Sequence, residues 1–169
     1  MSRAFVKEND SDTPPELPEL PVSPGPNPVT ARGLALLRAR YEHNLARQAA
    51  LGDAISAEDK LQRAELQREQ RWLDARLGNA QLHQPHGHGD SVEFGCQVTL
   101  VDETDSEYRY RIVGEDEASP EHGRISWRSP LAVALNGAQV GDERIWQRPA
   151  GALRVDVIAI DCTPEPVGN

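Results

Sequence analysis

With 169 residues, 38% of them apolar and 27% charged, and a net charge of −9, the chain has enough apolar residues for one modest core and too few for a large enzyme. No apolar run approaches the roughly 18–20 residues of a membrane span, and Met1-Ser2-Arg3 leads into acidic residues rather than an apolar signal core, so the expected location is cytoplasmic with no membrane partner. The acidic total argues against coating nucleic acid through phosphate neutralisation alone. Two cysteines, Cys96 and Cys162, exclude a multiply bridged scaffold and a four-cysteine zinc site, which leaves reduced thiols as the expectation.

Charge is unevenly spread: the balance is −3 over residues 1–29, +2 over 30–82 and −8 over 83–169. Seven of the thirteen prolines fall within residues 1–28. Their spacing forbids a helix interior or a central strand, and acidic residues fill the gaps. Residues 1–28 are therefore predicted to be a disordered or extended, polyproline-like arm. A solvated tail is the default, and docking through Phe5-Val6 or the P-x-x-P spacing is the alternative.

From Thr30 to Leu82 there is no proline. Thr30 can cap a helix, and Leu34, Leu37, Tyr41, Leu45 and Gln48 then form a narrow seam on one face. Gly52-Asp53 breaks the pattern, Ser56 is a second cap, and Leu66, Leu73, Leu77 and Ala80 share a second stripe. Two helices of about 20–24 residues with seams this thin cannot bury themselves in a globular core. Residues 29–82 are predicted to form an antiparallel coiled-coil hairpin that projects from the body, with two helices of a small bundle as the alternative. Residues 83–90 read as a linker, whose His83, His86 and His88 are not held on one face by their glycines and proline, so no metal centre is expected.

From Ser91 the periodicity becomes alternating. Val92 to Leu100 and Tyr108 to Val113 read as a hairpin of strands joined at Asp102–Ser106. A loop with Glu115-Asp116-Glu117 leads to a short strand from Arg124 to Trp127. Ser129-Pro130 starts a short helix that Gly137 ends, and two strands joined by Pro149-Ala150-Gly151 follow. The fold class is α+β: the helical hairpin, then a small antiparallel β domain with one short helix at 91–162, and a tail at 163–169.

The series Phe94-Gly95, Tyr110-Arg111-Ile112-Val113-Gly114-Glu115-Asp116-Glu117-Ala118, Ile125-Ser126, Ser129-Pro130, Ala132, Ala134-Leu135, Gly141-Asp142 and Pro149-Ala150-Gly151 resembles the C-terminal domain of the bacterial GreA/GreB transcription elongation factors across nearly all of 91–160. Thr30-Ala31-Arg32-Gly33 and Gly78-Asn79-Ala80-Gln81 resemble the entry to and exit from that family's hairpin. The resemblance implies an FKBP-like sheet around the short helix. It also implies a monomer that binds RNA polymerase, with the hairpin in the secondary channel and the globular domain on its rim. Such a factor meets nascent RNA only indirectly. It is not itself an enzyme but an accessory to the polymerase active site, and it carries no intrinsic cofactor, the relevant metal being the polymerase's Mg2+.

At the tip the resemblance assigns Asp53 to assist that magnesium. Ser56 and Ala57 stand where the family has glutamate and asparagine, so Glu58 and Asp59 are the substitutes. For the polymerase-facing surface it implies Ser129, Pro130, Ala132, Glu115 and Asp116. The first helix is shorter than the family's by roughly three turns, on the order of 15 Å of reach. Stimulated cleavage of backtracked RNA is accordingly set beside a non-cleaving channel regulator. An FKBP-like peptidyl-prolyl isomerase and a plain interaction protein stand as readings of other classes.

Overall fold

The computed structural model describes residues 16–52, 56–87 and 89–167. In chain order the elements are β1 (Asn27–Val29), α1 (Ala31–Ala50), α2 (Ala57–Gly78), β2 (Ala80–Leu82), β3 (Gln97–Asp102), β4 (Glu107–Val113), β5 (Arg124–Ser126), α3 (Pro130–Leu135), β6 (Glu143–Arg148) and β7 (Gly151–Asp161). Two 3-10 turns, Glu115–Glu117 and Pro120–His122, lie between β4 and β5.

Both long helices begin at the expected caps. Thr30 Oγ1 accepts from the Gly33 amide at 2.9 Å, and Ser56 Oγ from the Asp59 amide at 3.0 Å. The two helices pack through Leu37 and Leu73, both buried with Val29, while Leu34, Tyr41, Trp72 and Leu77 close the edges. One seam position is corrected: Leu45 is 45% exposed and Asn44 is buried in its place. Steps of four, three and four from Leu37 run through Tyr41 and Asn44 to Gln48, which carries Leu45 round to the outside. Asn44 Nδ2 satisfies itself against Leu66 O at 3.2 Å and Glu69 Oε2 at 3.0 Å, as a buried amide must.

The sheet order is β5-β4-β3-β7-β6. Every pairing is antiparallel except β4 with β5, which is parallel. The predicted all-antiparallel sheet is thus a mixed one, because the two 3-10 turns carry the chain back before β5 enters alongside β4. α3 caps the inner face, where Val98, Leu100, Leu131, Leu135, Val155 and Val157 form the core. The first expected strand begins late, at Gln97: Gly95 has φ +90, and Val92 exchanges hydrogen bonds with Gly137 and Ala138 instead of a strand.

Two expectations are corrected outright. The cysteines are not free: β3 and β7 pair Gln97 with Asp161, so the next pair outward sets Cys96 opposite Cys162, and these form a disulfide with Cα atoms 4.1 Å apart. The proline-rich arm, exposed over most of residues 16–26, is not a free tail where it is described. Residues 27–29 are a buried strand in parallel register with β2, and residues 18–24 contact α2 and the body. Phe5-Val6 lies outside the described residues.

The β3–β4 turn contains one strongly perturbed group. Asp102 Oδ1 accepts from the Thr104 hydroxyl at 2.7 Å and from the Thr104 and Ser106 amides, and Oδ2 from the Tyr108 hydroxyl at 2.9 Å. These donors, Thr104 foremost, lower its pKa from 3.8 to about 2. A depressed carboxyl contributes stability above its unfolded pKa and loses it as pH falls through the folded one. A carboxyl-carbon NMR titration should therefore place the Asp102 midpoint near 2, with the turn loosening between about pH 4 and pH 2. A midpoint near 4 contradicts the turn geometry.

Candidate functional site

The hairpin tip and its joint with the sheet carry the residues of interest. At the tip, Gly52 takes φ +51 to end α1, and Arg63 donates to the Gly52 carbonyl across the turn. Asp53 lies outside the described residues. Asp59 does not point away from the tip: its Oδ2 accepts from the Ser56 amide at 3.3 Å, completing a reciprocal capping box. Glu58 is exposed and has no hydrogen-bond or ion-pair partner among the described residues. Of the two substitute carboxylates, Glu58 is the one open to solvent. The Ser-x-x-Asp spacing was a readable signal of this division.

The joint is built from buried charge. The Glu117 side chain is 1% exposed, accepts from the Thr30 hydroxyl, and pairs with Arg32 at 3.1 Å and Arg124 at 3.0 Å. A Cβ on Gly33 would stand 2.7 Å from Glu117 Oε2, so only glycine lets the first turn of α1 approach this carboxylate. The Arg76 side chain, 4% exposed, reaches Asp116 at 2.7 Å, Glu115 at 3.3 Å and Asn27 Oδ1 at 2.6 Å. Asn27 returns a bond to the Arg76 carbonyl at 3.0 Å. Charge this deeply buried is tolerated because each group is paired several times.

Glu115, half-buried, and Asp116, exposed, which the resemblance placed on the polymerase-facing surface, also hold the hairpin to the body through Arg76. Ser129 is occupied as the cap of α3, accepting from the Ala132 amide at 3.2 Å. Ala132 is 3% exposed and belongs to the core. Pro130 is exposed on the first turn of α3. Arg76, Glu117 and Arg124 were not anticipated. An arginine three residues after Leu73, on the apolar side of α2, was the available sign.

Among the described residues, Glu93, Cys96 and Cys162 are the one group whose donor atoms lie close enough for a metal ion. Its sulfurs are bonded to each other, and Glu93 Oε1 accepts from the His86 and Gly87 amides. The aromatic residues that an isomerase site would need, Phe94 and Trp127, line a groove of about 470 Å³. Pro26 and Pro28 of the chain itself line it too.

The family model "Transcription elongation factor, GreA/GreB, C-term" matches residues 85–161. The transcription elongation factor GreA of Xylella fastidiosa (strain 9a5c) is 33% identical over 152 residues, covering 79% of this chain and 96% of that protein. GreA of Hyphomonas neptunium is 48% identical over 73 residues, 43% of this chain and 46% of that protein. Among solved structures, GreA factor homolog 1 (Gfh1) of Thermus thermophilus aligns over 80% of this chain and 99% of its own, at 22% identity and a TM-score of 0.40. Identity sustained along almost the whole Xylella factor, together with the match over the C-terminal domain, shows that this chain belongs to the GreA/GreB family of transcription elongation factors.

Proposed function

We propose that the protein binds RNA polymerase in the cytoplasm, as a monomer, with the hairpin entering the secondary channel and the globular domain seated on the rim. One observation carries this reading: a slender pair of helices stands on a charge-locked, buried base while its far end lies in water. A 20-residue helix reaches about 30 Å, enough to carry a side chain well into a pore. A locked base suits insertion, because a rod free to swing would lose the entropy of that freedom on entry.

At the tip, Asp53 and Glu58 are the carboxylates to be presented to the polymerase's catalytic centre, and Asp59 supports them by holding the start of α2 in register. Oxygen donors of this kind suit Mg2+, which prefers a few carboxylates and keeps most of its waters. Two such ions stabilise both oxygens of a phosphodiester displacement. The protein's own part is that of an accessory: it brings negative charge to a site built by another molecule. The helix N-terminus of α2 favours carboxylates at Glu58 and Asp59 through the aligned peptide dipoles.

The test is transcript cleavage in backtracked complexes. Wild-type protein should stimulate cleavage. Glu58→Gln should lower it about tenfold, the low end of the effect of losing a group that supports a metal, with binding to polymerase unchanged. Ser56 and Ala57 at the family's acidic and amide positions favour a second outcome, binding and slowed elongation without cleavage, which would make the protein a channel regulator. Failure to bind polymerase at all would sink both.

A further inference from the structure

The arm meets the hairpin with a regular spacing. The carbonyls of Pro18, Pro21 and Pro24 accept, in turn, from Arg68 Nη1 at 3.5 Å, Trp72 Nε1 at 3.1 Å and Arg128 Nη2 at 2.7 Å. Between the first two, Glu19 Oε1 takes Arg71 Nε at 2.8 Å and Nη2 at 2.6 Å. A repeat of three is that of polyproline II, which has three residues per turn, no internal hydrogen bonds, and carbonyls left open to a neighbour. Proline supplies the fixed φ that keeps such a segment extended at little further entropic loss.

The receiving surface is equally ordered. Arg68, Arg71 and Trp72 lie three and four apart, on one face of α2, and Arg40 of α1 stacks over the Trp72 ring at 4.9 Å. Three residues of polyproline II advance about 9 Å and four of α2 about 6 Å, and the long Arg68 side chain takes up the difference. At its lower end the segment leaves the hairpin for the body. Arg128, which holds Pro24, is paired with Glu115 at 3.1 Å, and Glu115 also receives Arg76. Gly25, at φ +92, then turns the chain into β1.

The geometry assigns to Arg68, Arg71, Trp72 and Arg128 the role of a docking surface for an acidic polyproline II segment, occupied in cis by residues 18–24, so that the arm straps the hairpin to the body. Glu19 favours this register, since with Pro21 over Trp72 its carboxylate meets the Arg71 guanidinium at 2.6 Å. The strap spans the hairpin and the body, and so adds to the restraint that the joint places on the angle between them. This role does not depend on what the hairpin enters.

The experiment uses the full chain. An elastase, cutting after Val22 within the strap, reports how often the strap is open, because cleavage tracks the open population when reclosing is fast. Glu19→Arg and Arg71→Glu should each speed that cut roughly threefold, as expected for an exposed ion pair. The double variant E19R/R71E should return to within about twofold of wild type. Trp72→Phe keeps the ring under Arg40 and removes the donor to Pro21, and should speed the cut about fivefold. In the single variants, amide exchange at Gly33, Leu34 and Ala75–Asn79 should rise with the cleavage rate. No rescue in the double variant, or opening that leaves exchange at the joint untouched, would overturn the proposal. So would protection that grows with protein concentration, since the strap would then come from a second copy.

Discussion

Replacing Arg76 with methionine should destabilise the protein by about 3 kcal/mol, read as a fall in the urea midpoint at unchanged slope. The methionine fills most of the same volume, so the loss is electrostatic rather than a cavity. Asp116 would lose its cation, Glu115 would keep only Arg128, and Asn27 Oδ1 would lose its donor. Removing one member of a buried, multiply paired set leaves uncompensated charge, and that penalty exceeds anything an exposed pair supplies. Arg40 pairs with Glu69 at 2.5 Å on the hairpin surface, and Arg40→Met there should change stability by less than about 1 kcal/mol. A midpoint shift for Arg76→Met as small as that for Arg40→Met would mean that water reaches the joint.

The same variant should also uncouple the two halves. In wild type, the far-ultraviolet helix signal, most of it from α1 and α2, and the amide exchange of β3 and β7 should report one transition, because the joint links them. With Arg76 gone, the hairpin retains the Leu37–Leu73 seam but loses its base, and its transition should come first. Helices whose seams are this narrow depend on tertiary packing more than on their own propensity.

Reduction of the Cys96–Cys162 bridge should have an effect of similar size. The bridge spans 66 residues of sequence, for which the chain-entropy relation gives about 4 kcal/mol, or roughly 10 °C in Tm for a chain of this length. Cys96 is fully buried, so reductant must be applied to the unfolded protein, which is then refolded and melted beside the oxidised form. Superimposable melts, with two titratable thiols in the untreated protein, would contradict the bridge.

Its position gives it a further structural consequence. Immediately after Cys162, the Thr163 carbonyl accepts from Arg111 at 3.1 Å and Glu165 pairs with Arg124 at 2.6 Å. Arg124 is a partner of the buried Glu117. The bridge thus delivers the tail to the hairpin joint, and the Cys96→Ser/Cys162→Ser variant should lose the amide protection of Thr163, whose N–H donates to Asp161 Oδ1 at 2.9 Å, before the sheet itself opens.

Local patterns were enough for the helices and most strands. Thr30 and Ser56 bear hydroxyls that satisfy orphan amides of a first helical turn, and that chemistry acts within three residues whatever the rest of the chain does. Alternation from Val98 to Leu100 and from Tyr108 to Ile112 marked a half-buried sheet for the same reason. Family membership was legible in the order of short motifs across 91–160. Leu45 failed because a four-residue step was counted where the helix needed three, which puts Asn44 inside. Glu58 and Asp59 looked equivalent until the capping box separated them.

What remained hidden depended on meetings between distant segments. Nothing near Cys96 says that Cys162 lies opposite, since the register of β3 on β7 is decided by the whole inner face finding the core. Glu115 and Asp116 read as loop acids, and nothing near them says that they are also joint residues, because Arg76, some forty positions earlier, is brought beneath them. The arm looked too polar to fold, and by itself it is. It is ordered over residues 18–24 because α2 supplies donors for carbonyls that water would otherwise satisfy. By itself, then, the sequence determined which stretches become helix, strand and turn, through forces acting over a few residues. Which charges are buried, which sulfurs meet and where the arm lies were decided by the tertiary structure alone, because those energies exist only once segments far apart in the chain share the same low-dielectric space.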